Sequence, residues 1–206
     1  MNKNLRGTFR FVQPVAMAIV AALLIRATIL QTFSIPSNSM WPALQTGDHI
    51  VVTPYGSVAG SQVPRRGDVI VFRGAGDDRN FYVKRIVALP GEEIRIDGPS
   101  LFINGHILPE SYLPRHYDNG FVMPRVLRQG EYFVMGDCRN DSIDSRDWGP
   151  VAGERVVGQA RLIFWSSSDG SSDFQQAIAA PGRGRHPSVP LAVHWSRLFR
   201  LIHGAH

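Results

Sequence analysis

Cysteine is almost missing from this 206-residue chain, in which Cys138 stands alone. No internal disulfide can form, and the thiol count neither supports nor excludes an oxidising compartment. Negative charge is missing from the beginning: no Asp or Glu precedes Asp48, while Lys3, Arg6 and Arg10 crowd residues 1–10. That asymmetry is the charge pattern of a cytoplasmic flank. Lys and Arg outnumber Asp and Glu by 22 to 17, yet no basic run is interleaved with stacking aromatics. Nucleic acid is therefore not the expected partner, and anionic membrane lipid fits the net charge of +5 better. None of the seven histidines is spaced for zinc, and the carboxylates follow no calcium-loop pattern, so neither a metal nor another cofactor is expected. Internal repeats are also lacking.

Long hydrophobic runs are scarce, with one exception. Residues 11–33 are mostly apolar, best over 15–25, and are interrupted by Arg26, with Gln13, Thr28 and Gln31 as lesser blemishes. A spanning helix needs about 20 residues. Arg26 lies close enough to the outer end for its long stem to snorkel to the interface. The segment reads as one transmembrane helix, which leaves residues 1–10 cytoplasmic and residues 34–206 on the outer side. A buried globular helix or a cleaved secretory signal would present a similar run. The signal reading delivers residues 34–206 to the same side, but no clear small-x-small cleavage site stands before Ser39.

Beyond residue 44 the pattern is that of short strands, at 49–53, 68–72, 81–88, 93–96, 101–103, 131–135 and 155–165. β-branched and aromatic residues fill these runs, and Gly, Pro, Asn and Asp punctuate them. Asn104-Gly105 between two apolar triplets is a two-residue hairpin signal. The expected fold is mainly β and antiparallel. Residues 166–190 read as a flexible excursion rich in Ser, Gly and Pro. In residues 191–206, Leu191, Trp195, Leu198, Phe199 and Ile202 fall near helical spacing, which suits either an amphipathic helix on lipid or a segment packed on the domain's own core.

Three stretches carry chemistry. Residues 35–44 place Ser37 and Ser39 between Pro36 and Pro42, whose rings stiffen the loop. An ordinary turn has the same composition. In residues 81–91 the adjacent cations Lys84 and Arg85 must point to opposite faces of a strand, so one of them enters apolar surroundings. Arginine keeps its proton there, whereas burial lowers a lysine's pKa and makes its neutral amine a general base. A strand-edge lysine with its ammonium in water is the competing reading. Residues 136–149 alternate four Asp with two Arg and two Ser, a self-neutralising loop able to set a hydroxyl beside another strand's lysine.

Together, Pro36-Ser37-Asn38-Ser39-Met40 with Pro42 and Leu44, Gly47-Asp48, Lys84-Arg85-Ile86-Val87 with Leu89-Pro90-Gly91, and Gly136-Asp137 with Arg139, Ser142, Asp144-Ser145-Arg146 and Trp148-Gly149 resemble the type I signal peptidases. The resemblance implies an antiparallel β catalytic domain behind one N-terminal transmembrane helix, in the bacterial plasma membrane with its catalytic face extracytoplasmic. It implies a monomeric serine endopeptidase that removes signal peptides from secretory preproteins after Ala-x-Ala sites. Ser39 would be the nucleophile and Lys84 its base, with the Ser37 hydroxyl and Ser39 N–H as oxyanion hole. Ser142 would orient the lysine, and Asp144 and Arg146 would be a supporting ion pair. Phe33, Ile35, Pro36, Met40, Leu44, Tyr82 and Val83 would contact substrate. Trp41, Ala43, Ala88 and Cys138 depart from the family's usual Met, Thr, Gly and Asn, and residues 140–141 reverse its Asp-Asn order. The short stretch between Lys84 and Gly136 implies a trimmed second β subdomain. A specialised maturation peptidase, for example of a pilin, and a non-catalytic membrane-anchored binding domain are the alternatives.

Overall fold

The computed structural model describes residues 14, 17, 31–57, 63–74, 79–113, 117–168, 192–193 and 195–202. Its strands are β1 (Gln31–Ser34), β2 (Asp48–Thr53), β3 (Val69–Arg73), β4 (Phe81–Ala88), β5 (Glu93–Asp97), β6 (Ser100–Ile103), β7 (His106–Ile107), β8 (Phe121–Val126), β9 (Glu131–Met135), β10 (Val151–Ala152), β11 (Val156–Ser168), β12 (Ala192–Val193) and β13 (Arg200–Leu201). A single helical turn, α1 (Ser145–Trp148), precedes β10.

One sheet runs β1-β2-β11-β3-β4-β9-β10, with β12 and β13 on β11, and a second runs β7-β6-β5-β8. The long β11 is the spine because it pairs with both β2 and β3 and shifts register at bulges along the way. Gly158 lets β2 come close: a Cβ there would lie 2.4 Å from the Thr53 carbonyl oxygen. One hydrophobic cluster joins Ile35, Met40 and Leu44 to Ile50 and Val52 of β2 and to Ile163 of β11. Another joins Val87 and Phe133 to Ile94, Ile96 and Leu101, so the two sheets share a core.

The Asn104-Gly105 hairpin forms, with φ of 50° and 79° at the turn and Ile103 paired to His106. The second sheet shows that the expected trimming still leaves four strands. Two expectations shift. Residues 31–33, expected as the end of a transmembrane helix, are strand, because Gln31, Thr32 and Phe33 pair with Val52, Val51 and Ile50; Thr32 and Phe33 suit a pleated edge. The rest of the expected anchor, its 1–10 flank and most of the 166–190 excursion lie outside the described residues. Among the described residues no helix is long and apolar enough to cross a membrane. Of the two readings of the tail, its described residues follow the one in which it packs on the domain and not the amphipathic helix: β12 and β13 pair with β11, with a short 3₁₀ turn over Trp195–Arg197 between them. The reason is electrostatic as well as topological, since Arg197 Nη2 and Nε reach Asp48 at 2.6 and 3.0 Å and hold the tail on the sheet.

Candidate active site

The loop after β1 is built to hold one hydroxyl still. Ile35 N–H donates to the Asp48 carbonyl and Gly47 N–H to the Ile35 carbonyl, closing the loop at its base. The Asn38 side-chain oxygen accepts from Thr46 N–H and Thr46 Oγ1 at 3.0 and 3.2 Å, bracing it across the middle. Met40 and Leu44 are 1% and 0% exposed and pin it to the core; burial of each stabilises the loop by about 1.5–3 kcal/mol. Between the brace and the pins stands Ser39. Its carbonyl accepts from Cys138 N–H at 3.0 Å, which ties this loop to the one after β9.

Opposite it lies β4. Lys84 is only 4% exposed, and its Nζ donates to Ser39 Oγ at 2.8 Å. Burial pulls the Lys84 pKa below that of an ordinary lysine; Asp144 opposes the change and Arg146 reinforces it. Arg85 is buried as well, so both cations leave water, but they are answered differently. Arg85 Nε and Nη2 reach the two Asp137 carboxylate oxygens at 2.8 and 2.6 Å, and its guanidinium lies 4.5 Å from the Tyr112 ring centroid. Among the described residues Lys84 forms no ion pair. A strand-edge lysine in water is thereby excluded.

Ser37 Oγ stands 3.4 Å from Ser39 Oγ, and among the described residues Ser39 N–H has no hydrogen-bond partner. Ser142 lines the same cleft but donates to Asp144 Oδ2 at 2.8 Å, with no hydrogen bond to Lys84. Asp144 caps α1 and accepts from Gly136 N–H at 2.9 Å and from Arg146 Nε at 2.8 Å. Burial pushes its carboxyl up, but the Arg146 and Gly136 hydrogen bonds more than offset this and hold it below the usual carboxylate range. Gly136 permits this convergence: a Cβ there would fall 2.3 Å from Ser142 Oγ and 2.5 Å from the Ser39 carbonyl oxygen.

The loop is self-neutralising only in part. Asp137 is answered from β4, and Arg139 turns outward from the loop to Glu110, Asn119 and Tyr112 of the segment between the second sheet's strands. Residues so distant in sequence left no local signal of these pairs.

A cavity of about 370 Å³ opens above Ser39 and Lys84. Of the expected contact residues, Phe33, Ile35, Pro36, Met40, Tyr82 and Val83 line it. Leu44 does not; it is fully buried behind Met40, because the turn from Met40 to Leu44 folds back on itself. Sequence reasoning missed Phe81, Asp141 and Ile143, which also line the cleft. Phe81 was legible from its alternation with Val83, whereas Ile143 lies in a loop without periodicity. Both walls are strand edges. Among the described residues β1 pairs only with β2, and β4 pairs with β3 alone until β9 joins at Arg85. The rings of Phe33 and Phe81 face each other across the gap, 5.2 Å apart.

The arrangement offers a hydroxyl, an adjacent amine that gives up its proton readily, polar hydrogens beside the hydroxyl and a slot for extended chain. Comparison with known proteins places the chain in a family. Residues 8–165 match the family described as signal peptidase, peptidase S26. The chain is 36% identical over 155 residues to the probable signal peptidase I-2 of Synechocystis sp., covering 72% of this chain and 69% of that one. It is 34% identical over 168 residues to the signal peptidase I of Bacillus licheniformis, covering 76% and 88%. A solved signal peptidase I from Enterococcus faecalis V583 aligns at 30% identity with a TM-score of 0.40, over 47% of this chain and 96% of that one. The chain therefore belongs to the signal peptidase family, peptidase S26, and is a serine peptidase of that family.

Proposed function

We propose that the chain is a membrane-bound endopeptidase that cleaves N-terminal signal peptides from exported preproteins after Ala-x-Ala sites, with Ser39 and Lys84 as a catalytic dyad. The observation that carries this reading is the 2.8 Å contact between a buried lysine, without a carboxylate partner among the described residues, and a serine hydroxyl at the floor of an apolar cleft.

The preprotein enters as an extended strand between the edges of β1 and β4, with main-chain hydrogen bonds supplying affinity and side-chain pockets supplying choice. Phe33, Ile35 and Val83 crowd one face of the slot, which favours small residues there. Neutral Lys84 takes the Ser39 proton as Oγ attacks the scissile carbonyl. The Ser37 hydroxyl and the Ser39 N–H receive the developing oxyanion, each such donor being worth about 3 kcal/mol. The lysine ammonium then protonates the departing amine of the mature chain. Water, deprotonated by the Lys84 amine that is again neutral, hydrolyses the acyl-enzyme, and the proton returns from Lys84 to Ser39 Oγ. Asp144 and Arg146 hold the loop that closes over Lys84, and Ser142 acts through Asp144. Cleavage takes place at the outer face of a plasma membrane, with residues 11–30 as the anchor.

The test is mass spectrometry of a secretory preprotein bearing an Ala-x-Ala site, incubated in detergent with wild type, Ser39→Ala or Lys84→Ala. Wild type alone should release the mature chain at that bond. Equal cleavage by Lys84→Ala would overturn the dyad, and no cleavage by folded wild type on several preproteins would favour a specialist with few substrates.

A further inference from the structure

The four carboxylates of residues 136–149 do not share one fate. Asp137 is engaged by Arg85, Asp144 by Arg146, and Asp147 accepts from Asp144 N–H at 2.9 Å. Asp141 is exposed and lines the catalytic cleft, and among the described residues its carboxylate has neither an ion pair nor a hydrogen bond. The backbone that presents it is held. Asp141 N–H donates to the Cys138 carbonyl at 3.0 Å, the Asn140 side-chain oxygen accepts from Asp118 N–H at 3.0 Å, and the Ser142 hydroxyl is bonded to Asp144. The arginines of the same loop are engaged elsewhere, Arg139 with Glu110 and Arg146 with Asp144. A free carboxylate so placed works against the base, because it favours the charged form of Lys84. Its use lies with a cation that the chain itself does not supply.

The strand order says which part of a substrate passes it. The signal-peptide side of the bound chain lies between the edges of β1 and β4, with its last carbonyl at Ser39. Past Ser39 that path is shut: β9 joins β4 where Met135 pairs with Arg85, and the loop that continues β9 is tied to the nucleophile by Cys138 N–H on the Ser39 carbonyl. The residues that follow the cut must leave the edge of β4 there and pass over this loop, whose side chains in the cleft are Asp141, Ser142 and Ile143. We propose that Asp141 is a specificity-determining residue that reads the charge of the first two residues of the mature chain, favouring lysine or arginine and opposing aspartate or glutamate. Attraction and repulsion act here through an exposed carboxylate, so both are modest and both are screened by salt. The inference rests on the peptidase reading given above.

Five peptides with one Ala-x-Ala site would be cut by the full chain in detergent and kcat/KM compared: one with Ala at both of the first two positions after the cut, the others with Lys or Glu at either position. At one position or both, kcat/KM should fall in the order Lys, Ala, Glu, with Lys exceeding Glu by about 3–30-fold at low salt, the combined reach of one exposed attraction and one such repulsion. In about 1 M salt, where the Debye length is about 3 Å, that ratio should shrink towards one. Asp141→Asn, which keeps the shape of the side chain, should also bring the ratio towards one, and Asp141→Lys should invert it. Loss of the carboxylate changes the proton affinity of Lys84 as well, but that acts on all five peptides alike and cancels in the ratio. Equal kcat/KM for Lys, Ala and Glu at both positions, a preference for Glu, or a preference that persists unchanged in a folded Asp141→Asn would overturn the assignment while leaving the peptidase reading intact. Cleavage of none of the five by folded wild type would remove the peptidase reading itself.

Discussion

Replacing Lys84 with methionine should make the protein more stable and inactive. The amine is 4% exposed and has no carboxylate partner among the described residues, so whenever it is charged its proton is held against the cost of burial. In the unfolded chain the same amine titrates near 10.4. Because the folded value is lower, the unfolded chain binds more protons between the two, and wild-type stability must rise as pH rises through that window. Below the folded value the penalty is full and constant, at about 1.4 kcal/mol for each pH unit separating folded from unfolded. Methionine keeps the packing and removes the penalty. Urea denaturation in detergent at pH 7 should therefore place Lys84→Met above wild type, and the gap should close by about pH 10.5 as the wild-type amine becomes neutral in both states. Other groups titrate over this range, but they are common to both proteins and cancel in the difference. The pH at which the gap begins to close should coincide with the midpoint at which wild-type kcat/KM rises, since both report the same proton. A methionine variant that is less stable than wild type by the same amount at both pH values would refute the reasoning, because the charge would then be welcome where it lies.

Further outcomes follow from the same geometry. Arg85→Ala should lose about 3–5 kcal/mol in chemical denaturation, because Asp137 is left as a buried unpaired charge; replacing both with apolar residues of similar volume should restore most of it. Gly136→Ala should lower kcat by at least tenfold while KM changes little, since the added methyl must displace Ser142 or the Ser39 carbonyl; single-turnover kinetics would separate the two constants. Arg197→Ala should destabilise the chain by about 3 kcal/mol or more, because Asp48 is 0% exposed and loses both charged contacts, and limited proteolysis should then release the tail.

Much of this was legible in the sequence, for identifiable reasons. β4 declared itself by alternation, and its two adjacent cations forced the question of which one was buried. The two-residue turn at Asn104-Gly105 needs positive φ twice, and few residue pairs supply it. What stayed hidden is what local pattern cannot encode. β1 continues an apolar run, so no boundary residue announces where the strand begins. β8 carries Pro124 and an exposed surface, as an edge strand tolerates, and so lacks the alternation of a half-buried strand. The tail has helical spacing by residue type, yet β11 offered it unpaired backbone and Asp48 a charge, and those outweighed periodicity. Phe33, Tyr82 and Val83, taken from the family resemblance, do line the cleft, whereas Leu44 was misplaced because its turn hides it.

The base of the excursion carries one more consequence. Ser167 and Ser168 pair with Val193 and Ala192, so the stretch from 169 to 191 begins and ends at one rung of a ladder. The ladder fixes where the chain leaves β11 and where it resumes, and lengthening a flexible connection between two such fixed ends costs only about 0.6 kcal/mol for each doubling. Arg197 is delivered to Asp48, and Asp48 in turn to the nucleophile's loop, whatever that connection contains. A reporter or a tag inserted between residues 168 and 192 should therefore leave Ser39 cleavage activity at the wild-type level.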